Sequence, residues 1–217
     1  MKRILLLLLA GALVLLAGCG GKTAPEKTKE GKLPVVASFY AMKEMTEAIG
    51  GDKVAVTTLI PEGTEPHDFQ PTTKSMKDLS RARVLVVQGL GMEHWAEEMV
   101  KAAENRNLVQ VVAAREVTPI ANEDAEEARE HGQYDPHAWL SPASAQVEAA
   151  AIVRGLSQAD PANAVDYQAN GEKFIGRLRQ LEAAYKGKFQ NLPRKEFVTG
   201  HAAFAYLCRD FGLEQNS

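Results

Sequence analysis

An alternation between Leu33 and Val112 constrains this chain more than any other feature. Short Val-rich apolar runs take turns with segments whose apolar residues recur every three or four positions. Leu33 to Ser38 reads as a buried strand. Ala41, Met45 and Ala48 then follow helical spacing, and Gly50-Gly51 closes that helix. Lys53 to Ile60 is a second strand, stopped by Pro61. A short helix follows with Met76 and Leu79 turned inward. Val84 to Val87 is a third strand, closed by Gly89 and Gly91. Glu93 to Glu104 reads as a helix whose inner face is Trp95, Met99 and Ala102, and Leu108 to Val112 is a fourth strand. Strand and helix in strict alternation predict an α/β fold with a parallel sheet covered on both faces by helices. Ligands of such sheets sit in the loops beyond the strand ends.

The second half is organised around one long helix. Ser141-Pro142 starts a helix with Pro at its first position, and Asp160-Pro161 starts the next. In that segment Tyr167, Phe174, Leu178, Leu181, Tyr185 and Phe189 recur at three, four and seven, and the pattern runs toward Pro193. About thirty residues at ~1.5 Å rise each would cross a whole small lobe. The expected architecture is therefore two-lobed: an N-terminal α/β lobe over 33–159, a connecting helix over 160–193, and the start of a second α/β lobe over 194–217. Glu196-Phe197-Val198-Thr199 is the opening strand of that second lobe, with His201 in the turn to a helix and Gly212 as that helix's C-cap. The second lobe is expected to be incomplete, since the chain stops where a new element should begin.

The N-terminus reads as an address. Lys2 and Arg3 precede an apolar run from Ile4 to Ala17, too short and too terminal for a membrane span. Residues 1–18 are expected to be a lipoprotein signal peptide. Leu16-Ala17-Gly18-Cys19 resembles a bacterial lipobox, in which the Cys is lipidated and becomes the mature N-terminus. A diacylglycerol on Cys19 would anchor the chain, each buried methylene contributing ~0.8 kcal/mol. Residues 19–32, rich in Lys, Glu, Thr and Gly, read as a flexible tether. Loss of Lys2 and Arg3 takes the formal charge from −3 to −5, which excludes a polybasic nucleic-acid binder. The only other cysteine is Cys208, in an apolar helical context, so a structural thiol is favoured over a ligand and no internal disulfide is expected.

Three histidines stand in stiff, distinctive loops. They lie in Glu65-Pro66-His67-Asp68-Phe69-Gln70-Pro71, Asp135-Pro136-His137-Ala138-Trp139-Leu140 and Thr199-Gly200-His201-Ala202-Ala203-Phe204. A neutral imidazole is a nitrogen donor suited to zinc. Three of them beside Pro or Gly read as a metal site of His67, His137 and His201, assembled from distant parts of the chain. Pro66, Pro71 and Pro136 would limit the ordering cost on metal capture. Each second ring nitrogen needs a partner to fix its tautomer, and Asp68, Asp135 and backbone carbonyls are the candidates.

At these residues the chain resembles the metal-binding lipoproteins of bacterial ABC importers, the cluster that handles zinc and manganese. The matching segments are Val36-Ala37-Ser38-Phe39-Tyr40, the Glu65 to Asp68 loop, Gly89-Leu90-Gly91 and the loops holding His137 and His201. The similarity runs from about Leu33 to Gln215. The resemblance implies two α/β lobes joined by a long helix, with metal in the cleft between them. It implies four ligand positions, of which His67 and His137 map to the first lobe and His201 to the second. The fourth is a carboxylate further along the second lobe. Members favouring Mn2+ usually place a Glu where this chain has His201, so Zn2+ is the expected ion and Mn2+ the lesser candidate. The resemblance also implies a monomer on the outer face of the cytoplasmic membrane that passes metal to an ABC permease driven by an ATPase, with no bond broken.

Two other function classes compete. Three His with an open fourth position also hold the zinc of hydrolytic enzymes, yet no helix carries two His one turn apart with a Glu, and no general base is marked. A surface adhesin is the second rival. The remaining histidines are weaker candidates. His94 shares a solvated stripe with Glu98 and Lys101, and His131 sits in an acidic loop over residues 122–133. Trp95 and Trp139 are expected to pack, with Trp139 walling the site.

Overall fold

The computed structural model describes residue 28 and residues 30–122, 128–129 and 132–217. The signal peptide, Cys19 and most of the tether lie outside the described residues, as do Glu123, Asp124, Glu126, Glu127, Glu130 and His131 of the acidic loop. Among the described residues no helix is long and apolar enough to cross a membrane.

The expected parallel sheet is present. Strands β1 (Leu33–Ala37), β2 (Val54–Thr58), β3 (Val84–Val87) and β4 (Val109–Val112) are joined by helices α1 (Tyr40–Gly50), α2 (Thr73–Arg81) and α3 (Ala96–Ala103). Their spatial order is β2-β1-β3-β4, all parallel. All four residues of the central strand β3 are buried, and β1 is nearly so, because helices cover both faces. The edge strands β2 and β4 are less buried, with Val54 and Val111 their buried residues. The chain steps outward from β1 to β2, then crosses back to β3, so the loops after β1 and β3 diverge. That reversal opens a crevice at the C-terminal edge of the sheet.

Helices α4 (Pro142–Ala159) and α5 (Ala164–Gln190) complete the first unit. The Ser141 hydroxyl caps α4 by accepting from Ala143 N, with Pro142 at the first helical position. Gly171 of α5 lies against Val153 of α4: a Cβ there would meet Val153 Cγ2 at 2.3 Å, so the close approach of the two helices requires glycine. Tyr167 of α5 is fully buried and donates its hydroxyl to Asp160 Oδ2 at 3.1 Å. Asn170 Nδ2 donates to the Ile49 carbonyl at the end of α1, at 3.1 Å.

Beyond Leu178 the stripe read from the sequence leaves the first core. Leu181 is 47 % exposed and Tyr185 40 % exposed. The helix has by then outrun the sheet, and Phe189 instead meets Phe211 of the following unit at 5.1 Å between ring centroids. That unit is small: β5 (Glu196–Val198), α6 (Ala205–Phe211) and β6 (Glu214–Asn216), with β5 and β6 paired in parallel. Gly212 ends α6 in the left-handed region at φ 65°, as its position predicted.

One boundary differs from the sequence reading. The α3 helix begins at Ala96 rather than Glu93, and Ala102 is exposed while Ala103 packs on the core. Glu93 is diverted from the helix because its carboxylate accepts from Gln88 N at 2.8 Å and Gly89 N at 2.9 Å. Those bonds hold the Gly89-Leu90-Gly91 turn, in which Leu90 itself has a positive φ of 58°. A non-glycine residue there costs about 1–2 kcal/mol. Leu90 packs against a second apolar cluster of Ala114, Val117, Ala138 and Tyr206.

Candidate metal centre

Each of the three predicted histidines sits on a loop braced from both sides. His67 lies between β2 and α2. The start of α2 is fixed by a reciprocal cap, in which Ser75 N donates to Thr72 Oγ1 and Thr72 N donates to Ser75 Oγ, each at 3.2 Å. Two residues past His67, Phe69 is buried with its ring edge on Trp95 at 5.2 Å. Burying such a ring contributes ~1.5–3 kcal/mol and pins the loop to the first core.

His137 is the buried member, 5 % exposed. Asp135 Oδ1 accepts from both His137 N and His137 Nδ1, each at 2.8 Å. The carboxylate therefore takes the Nδ1 proton and leaves the Nε2 lone pair free for a metal. Asp135 fills the orienting role for which it was a candidate. Phe39, two residues past β1, packs on Trp139 at 4.8 Å, and Trp139 lies 5.4 Å from the His137 ring. Trp139 thus walls the site, as expected.

His201 comes from the other side, in the turn after β5, and is exposed. Its carbonyl accepts from Thr199 Oγ1 at 2.8 Å, Ala203 N at 3.0 Å and Gln215 Nε2 at 2.7 Å. Gln215, on β6, also accepts from Phe204 N at 2.8 Å. It ties the His201 turn to the sheet edge, a role invisible in the sequence.

The three side chains converge. His137 Nε2 lies 3.2 Å from His67 Nε2 and 3.1 Å from His201 Nε2. Their ligand atoms all fall within 4.8 Å of one another. A tetrahedron with ~2.0–2.1 Å bonds has edges of ~3.3 Å, so three imidazole nitrogens at this spacing suit one zinc ion and leave a corner for a fourth donor. The donor set is all nitrogen, which manganese and magnesium favour less than oxygen. The other candidates stay apart from this cluster. His94 is exposed, and Cys208 is half-buried and free, its thiol pushed up by burial.

Sequence reasoning missed the polar bracing around His137. Tyr206 of α6 is fully buried and donates its hydroxyl to the Asp135 carbonyl at 2.8 Å. The Tyr206 hydroxyl oxygen in turn accepts from Ile120 N at 3.2 Å. Burial, chiefly, raises the Tyr206 pKa and keeps that proton in place. Asp210 accepts from the Ser141 hydroxyl, and Arg209 Nη1 donates to the Thr118 carbonyl at 3.1 Å. Only the apolar context of α6 could have hinted that these residues face inward.

Known proteins resemble this chain over most of its length. The family described as ZnuA, the periplasmic component A of a zinc-uptake complex, matches residues 35–217. A putative metal-binding protein of Treponema pallidum is 39 % identical, over 96 % of this chain and 69 % of its own length. The high-affinity zinc uptake system protein ZnuA of Bacillus subtilis is 34 % identical, over 97 % of this chain and 69 % of its own. The crystal structure of Zn(II)-bound AdcA from Streptococcus pneumoniae superposes with a TM-score of 0.77 at 32 % identity, covering 85 % of this chain and 39 % of that one. The chain has the α/β fold of these relatives and belongs to the ZnuA family of zinc-uptake components.

Proposed function

We propose that this chain captures Zn2+ outside the cytoplasmic membrane and delivers it to an ABC-type permease. The observation that carries the reading is the convergence of the His67, His137 and His201 Nε2 atoms from both sides of the crevice. Names of relatives point the same way: the Bacillus protein is a high-affinity zinc uptake protein and the Streptococcus structure is zinc-bound. Zinc is cargo here. His67 and His137 present it with nitrogens from the first unit and His201 from the second, while Asp135 keeps His137 in the ligating tautomer. Mn2+ is the weaker cargo, because the imidazole set offers it no oxygen donor.

Capture requires no chemistry beyond ligand exchange. Imidazole binds metal only when unprotonated, so capture releases protons wherever the free site holds them. The partners are a membrane permease and its ATPase, and Cys19 would carry the lipid that keeps the chain at the membrane. The reading is a binding protein and not a hydrolase, in keeping with the zinc-uptake names of its relatives.

Isothermal titration of the metal-free chain with zinc tests this. The expected result is one zinc per chain, with binding weakened by more than tenfold in each of His67→Ala, His137→Ala and His201→Ala. Unchanged affinity in all three variants would overturn the site. Metal uptake unaffected by loss of the protein in cells would overturn the transport role.

A further inference from the structure

Three side chains of one short helix reach across to the loops that flank His137. Tyr206 donates to the Asp135 carbonyl, and Ile120 N donates to Tyr206. Arg209 donates to the Thr118 carbonyl, at 3.1 Å, and to Ser144 Oγ, at 3.4 Å. Asp210 takes the hydroxyl of Ser141, the residue that caps α4. The Tyr206 ring fills the small apolar cluster of Ala114, Val117 and Ala138, and so acts as a plug from the second unit in the first. This helix begins four residues after His201 and is bonded to it through the turn that Gln215 closes.

The consequence is geometric. His201 and His137 belong to different units, and their Nε2 atoms lie 3.1 Å apart. Among the described residues, the hydrogen bonds made by α6 bear on that spacing, with Phe189 packed on Phe211 beside them. The long helix α5 is exposed along much of its second half, so it links the units without clamping them. The α6 bonds supply the clamp, and Tyr206 does so through the residue that orients His137. Asp135 offers its carbonyl to Tyr206 and its carboxylate to the imidazole, so one residue receives both constraints.

We propose that α6 is an interlobe latch and that Tyr206 is a positioning residue for the metal centre. It touches no ligand nitrogen that would face the ion. It holds Asp135, and through it the ring of His137, in register with the His201 turn. The latch therefore sets how long the assembled site persists, and thus how slowly metal leaves. This rests on the zinc-capture reading only for its last step, since the latch orders the loops with or without metal.

The test uses the full chain and the variant Tyr206→Phe, which removes the hydroxyl and keeps the ring. Two readouts need no metal. Amide exchange from Asp135 to Trp139 should quicken by ~3–10-fold, the scale of one lost hydrogen bond. Nitrogen-15 spectra of the His137 ring should change from one tautomer to a mixture. The third readout is zinc loss to an excess of chelator, which should quicken by a similar factor. Asp210→Asn, which weakens the bonds from Ser141 and Arg209 and leaves the Tyr206 ring in place, should shift all three in the same direction by a smaller factor. Asn170→Ala serves as the control, since it loses only the bond to α1; it should lower stability and leave the His137 ring and zinc release unmoved.

If Tyr206→Phe and Asp210→Asn both leave the His137 spectrum and loop exchange as in the parent chain, the latch is wrong, whatever zinc does. If the parent chain takes up no zinc while both metal-free readouts respond, the latch stands and the capture reading fails.

Discussion

Glu148 offers the sharpest test of how this core is charged. It lies on α4, fully buried, and accepts from Gln88 Nε2 at 2.7 Å. Among the described residues its other oxygen has no hydrogen-bond partner, and neither does the Gln88 side-chain carbonyl oxygen. Burial, foremost, and the nearby Glu93 carboxylate raise its pKa from 4.5 to about 8, against the smaller opposing effect of the Gln88 bond. The folded chain therefore holds a proton on Glu148 at pH values where the unfolded chain has released it. Stability is unaffected by this group below about pH 4.5, falls as pH rises, and levels off above about 8. At ~1.4 kcal/mol per pKa unit the full cost is roughly 5 kcal/mol, and roughly 3 kcal/mol of it is already present near pH 7.

Glu148→Gln imitates the protonated acid at every pH. Its amide oxygen can accept from Gln88 Nε2 and its NH2 group can donate where the acid proton pointed. Urea unfolding of the metal-free proteins, followed by Trp95 and Trp139 fluorescence, measures the difference. Near pH 5 the two chains should be within ~1 kcal/mol. Near pH 7 the variant should be more stable by roughly 3 kcal/mol. Some slope should survive in the variant, because burial also raises the Glu93 pKa, outweighing the bonds from Gly89 and Gln88. A variant whose stability falls with pH as steeply as the parent's would refute the reasoning, since the proton would then reside elsewhere.

Asp135→Asn should lower zinc affinity by ~10–100-fold in a calorimetric titration, because an amide oxygen accepts the Nδ1–H bond of His137 more weakly than a carboxylate and holds the tautomer with a bare Nε2 less firmly. Acidification should weaken zinc binding in the parent chain as protons compete for the imidazoles, and equal affinities at mildly acid and neutral pH would contradict that. Gly155→Ala should destabilise the fold by ~1–3 kcal/mol in urea titration, since the new Cβ would meet Val111 Cγ2 at 2.1 Å and force α4 away from β4.

What the sequence disclosed and what it hid follow one physical division. Strands β1 and β3 were legible because burial on both faces makes their residues apolar, every one of Val84 to Val87 included, and Gly89 and Gly91 mark the turn after β3. The three converging histidines were legible because each stands in a short loop stiffened by Pro or Gly. Apolar periodicity also gave the long helix, but not the point at which its stripe stops facing a core: Leu181 and Tyr185 continue the spacing of Tyr167 and Phe174, yet they lie past the end of the sheet. Glu93 looked like the first turn of a helix because nothing in its neighbours shows that its carboxylate is needed two backbone amides upstream. Tyr206 is the extreme case, since its bond to Asp135 spans 71 positions of chain. A periodic pattern records which face of an element is dry, and it carries no information about which distant carbonyl a buried hydroxyl will reach. The three converging histidines could therefore be picked out from one-dimensional evidence, while the groups that hold His137 Nε2 at 3.1–3.2 Å from the other two required the fold.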